Sequence, residues 1–313
     1  MVSVSVVVCA YTLDRWDQLA LAMASLRSQE PAHDTVLVID HNPQLLERAR
    51  RAWPEATVLA NSGRQGLSAA RNTALNATTA EVVAFLDDDA YARPGWLATL
   101  VAPFADPAVV AVGGSAEPIW PGATPAVLPP ELLWVVGCSY RGLPQESADV
   151  RNVMGCSMAF RRAPLVGIGA FNPDTGRVGR RPIGCEETEA CIRLRQQDAG
   201  AIIRYEPTAT VGHHVSADRT TMKYVVHRGW CEGLSKAALA RTIGRRDALS
   251  DESVYARRVL PAGVARELRA GRLRGAAAIV LCLGATTLGY VRGLAAQIQP
   301  GAVRDELAIG AAA

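Results

Sequence analysis

Three consecutive aspartates, Asp87, Asp88 and Asp89, directly follow the apolar run of residues 82–86. Burying a carboxylate that has no partner is costly, so we expect these residues where a strand emerges, at the carboxyl edge of a sheet. Residues i and i+2 of an extended segment share a face, so Asp87 and Asp89 can share one hard divalent cation, Mg²⁺ or Mn²⁺, which suits a diphosphate. The alternative is a solvated acidic loop, or caps for a helix that begins near Pro94.

Two further segments place polar groups at the same predicted edge. Asp40 ends the apolar run 35–39, where its carboxylate can accept hydrogen bonds from a nucleoside base or ribose; an Asx turn with residues 41–43 is the alternative. Residues 61–72 form a turn that leads into a helix, with Arg71 one turn in. A helix N-terminus attracts phosphate and arginine binds phosphate oxygens with two N–H groups, although a surface ion pair would also account for Arg71.

Acidic residues and a histidine pair in the second half of the chain could complete a site. Glu186, Glu187 and Glu189 begin a predicted helix, a position that the helix dipole alone favours for acids. Glu187 can also serve as a general base, because an acceptor hydroxyl is a poor nucleophile until a carboxylate takes its proton. His213 and His214 follow a short predicted strand; histidine is a common ligand of borderline cations, and a structural role is the alternative.

The elements that must position these residues alternate along the first half of the chain. This alternation is typical of an α/β fold with a doubly wound, mostly parallel sheet. Apolar runs predict strands at 2–10, 35–39, 56–60, 82–86 and 109–113, and helical spacing predicts helices at 16–29, 44–53, 67–77 and 96–104. Beyond residue 114 the alternation weakens. The sequence there predicts a loop at 118–130, strands at 152–160, 202–204 and 210–213, and helices within 182–200 and 222–239.

Composition limits the class of protein. The 313 residues are 49% hydrophobic, enough for one large domain or for a domain with an appendage. Seven scattered cysteines without a CxxC motif predict neither a disulfide framework nor a zinc site, and they fit a reducing cytosol. The N-terminus lacks a basic region and predicts a strand, not a signal peptide.

The last quarter of the chain is basic and then apolar. Residues 241–274 hold nine arginines against four acidic residues, whereas the net charge of the whole chain is +3. The uncharged run 276–291 follows, and it is shorter than the roughly 20 residues of a spanning helix. We favour a helix packed on the core. The alternative is a helix at a membrane surface, because the basic stretch before it would attract anionic headgroups.

Six segments occur in an order that resembles the family 2 glycosyltransferases of GT-A fold. The resemblance covers roughly residues 2–240. The segments are VVVCAY at 6–11, VLVID at 36–40, GLSAARN at 66–72, FLDDD at 85–89, MGCSMAFRR at 154–162 and GCEETE at 184–189.

The resemblance implies a nucleotide-sugar donor, with UDP-hexose as the usual choice, bound across the first half. Tyr11 and Asp40 would bind base and ribose, and Arg71 the diphosphate. Asp89 would bind Mn²⁺ or Mg²⁺; Asp87 would bind the cation or, with Asp88, the donor. The resemblance also assigns roles to residues of the second half: Glu187 as the base, where the family usually has Asp, His213 or His214 as a metal or diphosphate ligand, and Gly155, Cys156, Ser157 and Glu186 on the acceptor side.

We therefore expect a metal-dependent inverting hexosyltransferase. Its hydroxyl acceptor would be a glycan, a lipid-linked sugar or a natural product, and no nucleic acid is expected as a partner. The predicted regions are a donor-binding half at 1–115, an acceptor-binding and catalytic half at 116–240, and a helical extension at 241–313. Peripheral contact of that extension with a membrane would place the enzyme in the cytoplasm, at the inner face of the cell membrane.

Two other functions are alternatives to this one. A nucleotidyltransferase would usually show a glycine-rich basic loop after its first strand, and residues 10–14 contain no glycine. A non-catalytic, membrane-associated protein that binds sugar nucleotides would more plausibly have lost the acids at 87–89 or 186–189, and both sets are present.

Overall fold

The computed structural model describes residues 2–177, 184–244, 252 and 254–295. The chain forms two compact units. The first comprises Met1–Glu117, Pro144–Gly179 and Glu186–His213, and the second comprises Pro118–Leu143, Arg180–Cys185 and His214–Ala313. Parts of two predicted segments lie outside the described residues: 182–183 at the start of the helix within 182–200, and 245–251, 253 and 296–313 of the C-terminal extension.

Half of the sheet in the first unit is parallel. Its strands lie in the order β3-β2-β1-β4, and every neighbouring pair is parallel. Valines at alternate positions of β1 face opposite sides, so Val6 and Val8 pack in one core layer and Val7 packs in the other. The strands are β1 Val4–Ala10, β2 Asp34–Ile39, β3 Thr57–Ala60 and β4 Val82–Asp87, and the helices between them are α1 Trp16–Leu26, α2 Pro43–Ala52 and α3 Leu67–Ala77.

The other half of the sheet is antiparallel. The strands are β5 Ala90–Ala92, β6 Val109–Ile119, β7 Ala148–Asp149, β8 Ser157–Arg161 and β9 Ile202–His214, and the helices are α4 Trp96–Val101, α5 Arg162–Gly167 and α6 Glu186–Gln197. β8 lies between β4 and β6 and runs opposite to both, and β9 pairs with β5 and β7. The α/β class is confirmed, but the sheet is mixed because the later strands return without parallel crossovers.

Prolines concealed the length of two strands. The sequence predicts a strand at 109–113 and a loop from 118, whereas β6 runs on to Ile119. Two short strands were predicted at 202–204 and 210–213, whereas β9 is continuous from Ile202 to His214. Pro118 begins the predicted loop and Pro207 lies between the two predicted short strands; proline cannot donate a ladder hydrogen bond. Both strands nevertheless continue past the proline.

The described part of the second unit is mainly helical. It contains the 3₁₀ helix Pro130–Val136, α7 Met222–Thr242, α8 Leu260–Arg269 and α9 Leu273–Ala295. Buried apolar side chains of these elements, among them Leu132, Val225 and Ile279, form one core. Glu131 is almost fully buried, and both its carboxylate oxygens accept hydrogen bonds from the guanidinium of Arg266 on α8. Helix α8 lies within the predicted helical extension 241–313, for which the sequence suggested helix bounds only at 276–291.

Helices α7 and α9 pack with their backbones in close approach. A Cβ placed on Gly233 of α7 would lie 2.1 Å from the carbonyl oxygen of Thr286, and one on Gly289 of α9 would lie 2.3 Å from that of Trp230. Gly229 and Gly293, each four residues away, face the opposite helix in the same way. A Cβ at any of these four positions would force the helices to shift, and the glycines have the small-xxx-small spacing common between membrane helices.

The other face of α9 is apolar and exposed. The helix has 23 residues, so it extends beyond the predicted 276–291 at both ends, and by length and composition alone it could cross a membrane. Its buried positions are mostly small, such as Ala278 and Cys282, whereas Val280, Leu288 and Val291 are each more than half exposed. Packing on α7 therefore accounts for one face only.

Candidate functional site

The first strand ends bring Tyr11 and Asp40 to the carboxyl edge of the sheet. The Asp40 N–H donates to the carbonyl of Ala10, and the half-buried Tyr11 follows that residue. Asp40 itself is buried; its carboxylate accepts hydrogen bonds from Asn61 Nδ2 at 2.6 Å and from the Gly66 N–H at 2.9 Å. Asp40 therefore fixes the turn that begins α3, where Gly66 has φ +138°, a conformation that favours glycine.

The three aspartates do not all point the same way. Strand β4 ends at Asp87, and the next two residues, Asp88 and Asp89, form a turn. Strand β5 then pairs with β9 so that Ala90 lies opposite His213. This pairing places His213 Nε2 at 3.2 Å from Asp89 Oδ1. One ligand atom each from Asp87, Asp89 and His213 lie within 4.8 Å of one another.

These three side chains, here called the cation cluster, suit Mn²⁺ or Mg²⁺, because two carboxylates and an imidazole are hard to borderline ligands. Within the described part of the chain, no other group of three His, Cys, Asp or Glu side chains is close enough to share a metal ion. His213 is 3% exposed. Its neighbour His214 lies outside the cluster, because adjacent residues of a strand point to opposite faces.

Asp88, the middle aspartate, faces Arg15. The Nη1 atom of Arg15 lies 2.7 Å from Asp88 Oδ1 and 3.0 Å from Asp89 Oδ2. Burial raises the pKa of Asp88 to about 7, against the opposing effect of Arg15. The other oxygen of this carboxylate, Asp88 Oδ2, is buried and has no hydrogen-bond partner among the described residues. Arg15 is not among the predicted site residues, although its position just after β1 places it at the carboxyl edge of the sheet.

Arg71 is buried at the centre of the site, with 2% of its side chain exposed, so it is not in a surface ion pair. Its Nη1 donates to Glu186 Oε1 at 2.9 Å, and its Nη2 donates to the Gly155 carbonyl at 3.0 Å and lies 3.5 Å from Asp87 Oδ1. The guanidinium carbon is 5.6 Å from the ring centres of Phe85 and Phe171. Burial opposes its charge, but Glu186 and Asp87 outweigh that effect and raise its pKa.

The acids of the 184–189 segment differ in their surroundings. Glu186 begins α6 and is buried; one oxygen is bound by Arg71, and the other, Oε2, has no hydrogen-bond partner within the described residues. Glu189 is also buried and pairs with Arg193 in the next turn. Glu187 is half-buried. Glu187 is therefore the most accessible of the three acids at this helix N-terminus.

The 155–157 segment contacts the site through its backbone. Gly155 accepts a hydrogen bond from Arg71, and the Cys156 carbonyl accepts one from the Asp87 N–H at 3.4 Å. The side chains of Cys156 and Ser157 are buried, and the Ser157 hydroxyl accepts a hydrogen bond from Trp96 Nε1 at 2.9 Å. A Cβ on residue 155 would lie 3.3 Å from Arg71 Nη2, so glycine gives the guanidinium room.

Known proteins resemble this chain over most of its length. This chain is 31% identical over 304 residues to the glucosyl-dolichyl phosphate glucuronosyltransferase of Haloferax volcanii. The alignment covers 93% of this chain and 96% of that protein. The chain is 33% identical over 184 residues to the pre-mycofactocin glycosyltransferase of Mycobacterium tuberculosis, covering 58% of this chain and 37% of that protein.

Solved structures share the fold. The mannosyltransferase PcManGT from Pyrobaculum calidifontis, in complex with GDP-Man and Mn²⁺, matches 91% of this chain and 86% of its own, with a TM-score of 0.58 and 17% identity. GalNAc-T7 with UDP, GalNAc and Mn²⁺ matches 86% of this chain and 58% of its own, with a TM-score of 0.53 and 17% identity. The expected GT-A-like α/β fold is confirmed.

Two matches establish the family of this chain. The model of "Glycosyl transferase family 2" matches residues 5–168, more than half of the 313 residues, and the relative from Haloferax volcanii aligns over nearly the whole chain. The matched region contains the strand ends that bear Tyr11, Asp40 and the three aspartates. The chain therefore belongs to glycosyl transferase family 2.

Proposed function

We propose that this chain is a cation-dependent, inverting glycosyltransferase that transfers a hexose from a UDP-sugar to a hydroxyl group of a lipid-linked acceptor. Its family makes the chain a transferase and disfavours both a nucleotidyltransferase and a non-catalytic binding protein. The choice of a UDP-hexose donor rests on the resemblance to the family, and the choice of acceptor rests on the Haloferax volcanii relative and on α9.

One observation carries the proposal. The Arg71 guanidinium contacts Asp87 of the cation cluster and Glu186 at the start of α6. The Arg71 side chain therefore spans the distance between the proposed site of the leaving diphosphate and the helix that bears Glu187. An acid near a cation site at the carboxyl edge of a sheet suits transfer from a nucleoside diphosphate sugar, because ligands bind at that edge and a carboxylate can act as general base.

We assign the nucleoside to the strand ends at Tyr11, Asp40 and Asp88. The unpartnered Asp88 Oδ2 supports this role, because a donor hydroxyl could satisfy it. A cation held by Asp87, Asp89 and His213 would supply the positive charge that stabilises the leaving diphosphate. Both Nη atoms of Arg71 donate to protein atoms, so in this proposal Arg71 acts on the diphosphate region through Asp87.

In the proposed step, the Glu187 carboxylate takes the proton of the acceptor hydroxyl. The acceptor oxygen forms a bond to the anomeric carbon, and the bond from that carbon to the diphosphate oxygen breaks, so that the diphosphate leaves with the electron pair. No enzyme nucleophile takes part. A single displacement therefore inverts the configuration at the anomeric carbon.

Transfer assays with UDP-, GDP- and dTDP-sugars test this function. Glu187→Gln keeps the shape of the side chain but cannot accept a proton at neutral pH, so we expect kcat to fall about 10²–10⁴-fold with donor affinity retained. Glu186→Gln tests the neighbouring acid, although it also weakens the buried ion pair with Arg71. If Glu187→Gln is nearly as active as the wild type and Glu186→Gln is inactive, Glu187 is not the base. A product with retained anomeric configuration would exclude the single displacement.

We propose further that the exposed face of α9 binds lipid. Val280, Leu281 and Leu288 lie on this face, and the charged residues of the helix, Arg274 and Arg292, lie near its ends. Arg257, Arg258, Arg269 and Arg274 are exposed. Each basic residue near an anionic leaflet contributes about 1 kcal/mol. The relative named for glucosyl-dolichyl phosphate supports a lipid-linked acceptor.

Flotation with vesicles of phosphatidylcholine and phosphatidylglycerol tests lipid binding. We expect the protein to float, more weakly as salt screens the arginines. The double variant Leu281→Gln and Leu288→Gln should float less. Leu21→Gln on α1 is the matched control, because Leu21 is 51% exposed and lies in the first unit. Equal flotation of the double variant and the wild type, or a wild-type protein that stays soluble at low salt, would contradict the lipid contact.

A further inference from the structure

Arg15 holds two of the three aspartates through one nitrogen atom. It ends the 3₁₀ turn Leu13–Arg15, directly before α1. Its Nη1 lies 2.7 Å from Asp88 Oδ1 and 3.0 Å from Asp89 Oδ2, and its guanidinium carbon lies 5.6 Å from the ring centre of Tyr11. The side chain is 22% exposed. Arg15 therefore lies between the proposed nucleoside position and the cation cluster without belonging to either.

We propose that Arg15 is a positioning residue that orients Asp89 for the cation. The two carboxylate oxygens of Asp89 have different neighbours: Oδ1 lies 3.2 Å from His213 Nε2, and Oδ2 lies 3.0 Å from Arg15. With Oδ2 bound to the guanidinium, rotation of the carboxylate is restricted and Oδ1 faces the cluster. The inference rests on the proposed function, because it assumes that this cluster binds the cation.

Arg15 also balances a charge that the cation would not. Asp87 and Asp89 belong to the cation cluster, whereas Asp88 faces Arg15 and is almost fully buried. A buried carboxylate without a cationic partner is strongly unfavourable. Loss of Arg15 would therefore leave Asp88 unpaired and would allow Asp89 to rotate away from His213.

An opposing effect exists, because the positive guanidinium repels a divalent cation. We expect orientation to outweigh repulsion, because Arg15 binds the Asp89 oxygen that faces away from His213. Partners that orient metal ligands typically contribute about 10- to 100-fold to metal affinity. The sign of the change in affinity therefore decides between the two effects.

Mn²⁺ affinity, measured by calorimetry on the protein without donor, tests the role of Arg15. We expect Arg15→Gln to bind Mn²⁺ about 10- to 100-fold more weakly than the wild type. Arg15→Lys should retain more affinity, because one nitrogen atom makes both contacts. Arg27→Gln, which removes the exposed pair with Glu55 at the end of α1, should bind normally. Thermal unfolding of each variant verifies the fold.

The outcomes separate this inference from the proposed function. If the wild type binds no Mn²⁺, the proposed cation dependence fails. If the wild type binds Mn²⁺ and Arg15→Gln binds it as tightly or more tightly, only the role of Arg15 fails. The double variant Arg15→Gln and Asp88→Asn removes the unpaired buried charge; full recovery of affinity would show that Arg15 acts on Asp88 alone, which overturns its role in orienting Asp89.

Discussion

The glycine seam between α7 and α9 allows a matched pair of substitutions in one helix. Gly284 and Gly289 both lie inside α9, but a Cβ on Gly284 meets no atom within 4 Å, whereas one on Gly289 lies 2.3 Å from the Trp230 carbonyl oxygen. Replacing glycine by alanine inside a helix gains about 1 kcal/mol. Gly284→Ala should therefore stabilise the protein by about that amount, because nothing opposes the new methyl group.

At Gly289 the same gain meets a steric cost. The obstructing atoms belong to the backbone of Trp230, so the helices must move apart, and overpacking of this kind costs about 1–3 kcal/mol. We expect Gly289→Ala to be less stable than Gly284→Ala by about 1–3 kcal/mol. Gly233→Ala should behave like Gly289→Ala, because its Cβ would lie 2.1 Å from the Thr286 carbonyl oxygen.

Unfolding followed by circular dichroism in a mild detergent measures these differences. The double variant Gly233→Ala and Gly289→Ala should lose less than the sum of the single losses, because Gly233 faces Gly289 and one displacement relieves both overlaps. Equal stability of Gly284→Ala and Gly289→Ala would refute the close approach of α7 and α9.

Two further predictions concern the site. Burial raises the pKa of Asp88 to about 7, above its value in the unfolded chain, so metal-free protein should lose stability as the pH rises from about 4 to 7. Asp88→Asn should lose less over that range; parallel pH curves for the two proteins would contradict the raised pKa. Arg71→Lys cannot reproduce the forked contacts, so a buried acceptor loses its donor and stability should fall by about 1–3 kcal/mol. Arg93→Lys, at an exposed pair with Glu117, should change stability little, and equal melting temperatures for the two variants would argue against the buried network.

Local patterns in the sequence predicted much of the fold and part of the site. The valine-rich runs and the helical spacing between them indicated the α/β class, since burial on both faces requires apolar strands. The position of Asp87 and Asp89 beyond a buried run predicted a shared cation, and both contribute to the cation cluster. These inferences needed only neighbours in the chain.

Contacts between distant segments could not be predicted in the same way. The sequence left His213 and His214 as equal alternatives, because the choice depends on the pairing of β9 with the three-residue strand β5, too short to show a period. The sequence suggested that Arg71 would bind phosphate; its burial against the rings of Phe85 and Phe171 follows from tertiary packing. The GxxxG spacings of α7 and α9 were visible, but which faces meet is decided by packing.

The most direct test of the central claim is binding of UDP with and without Mn²⁺. Calorimetry on the wild type and on Asp89→Asn separates the contribution of the cation from that of the nucleoside. We expect tighter binding of UDP in Mn²⁺ than in EDTA, and loss of that difference in Asp89→Asn. Equal affinity for UDP in Mn²⁺ and in EDTA, together with full sugar transfer in EDTA, would contradict it.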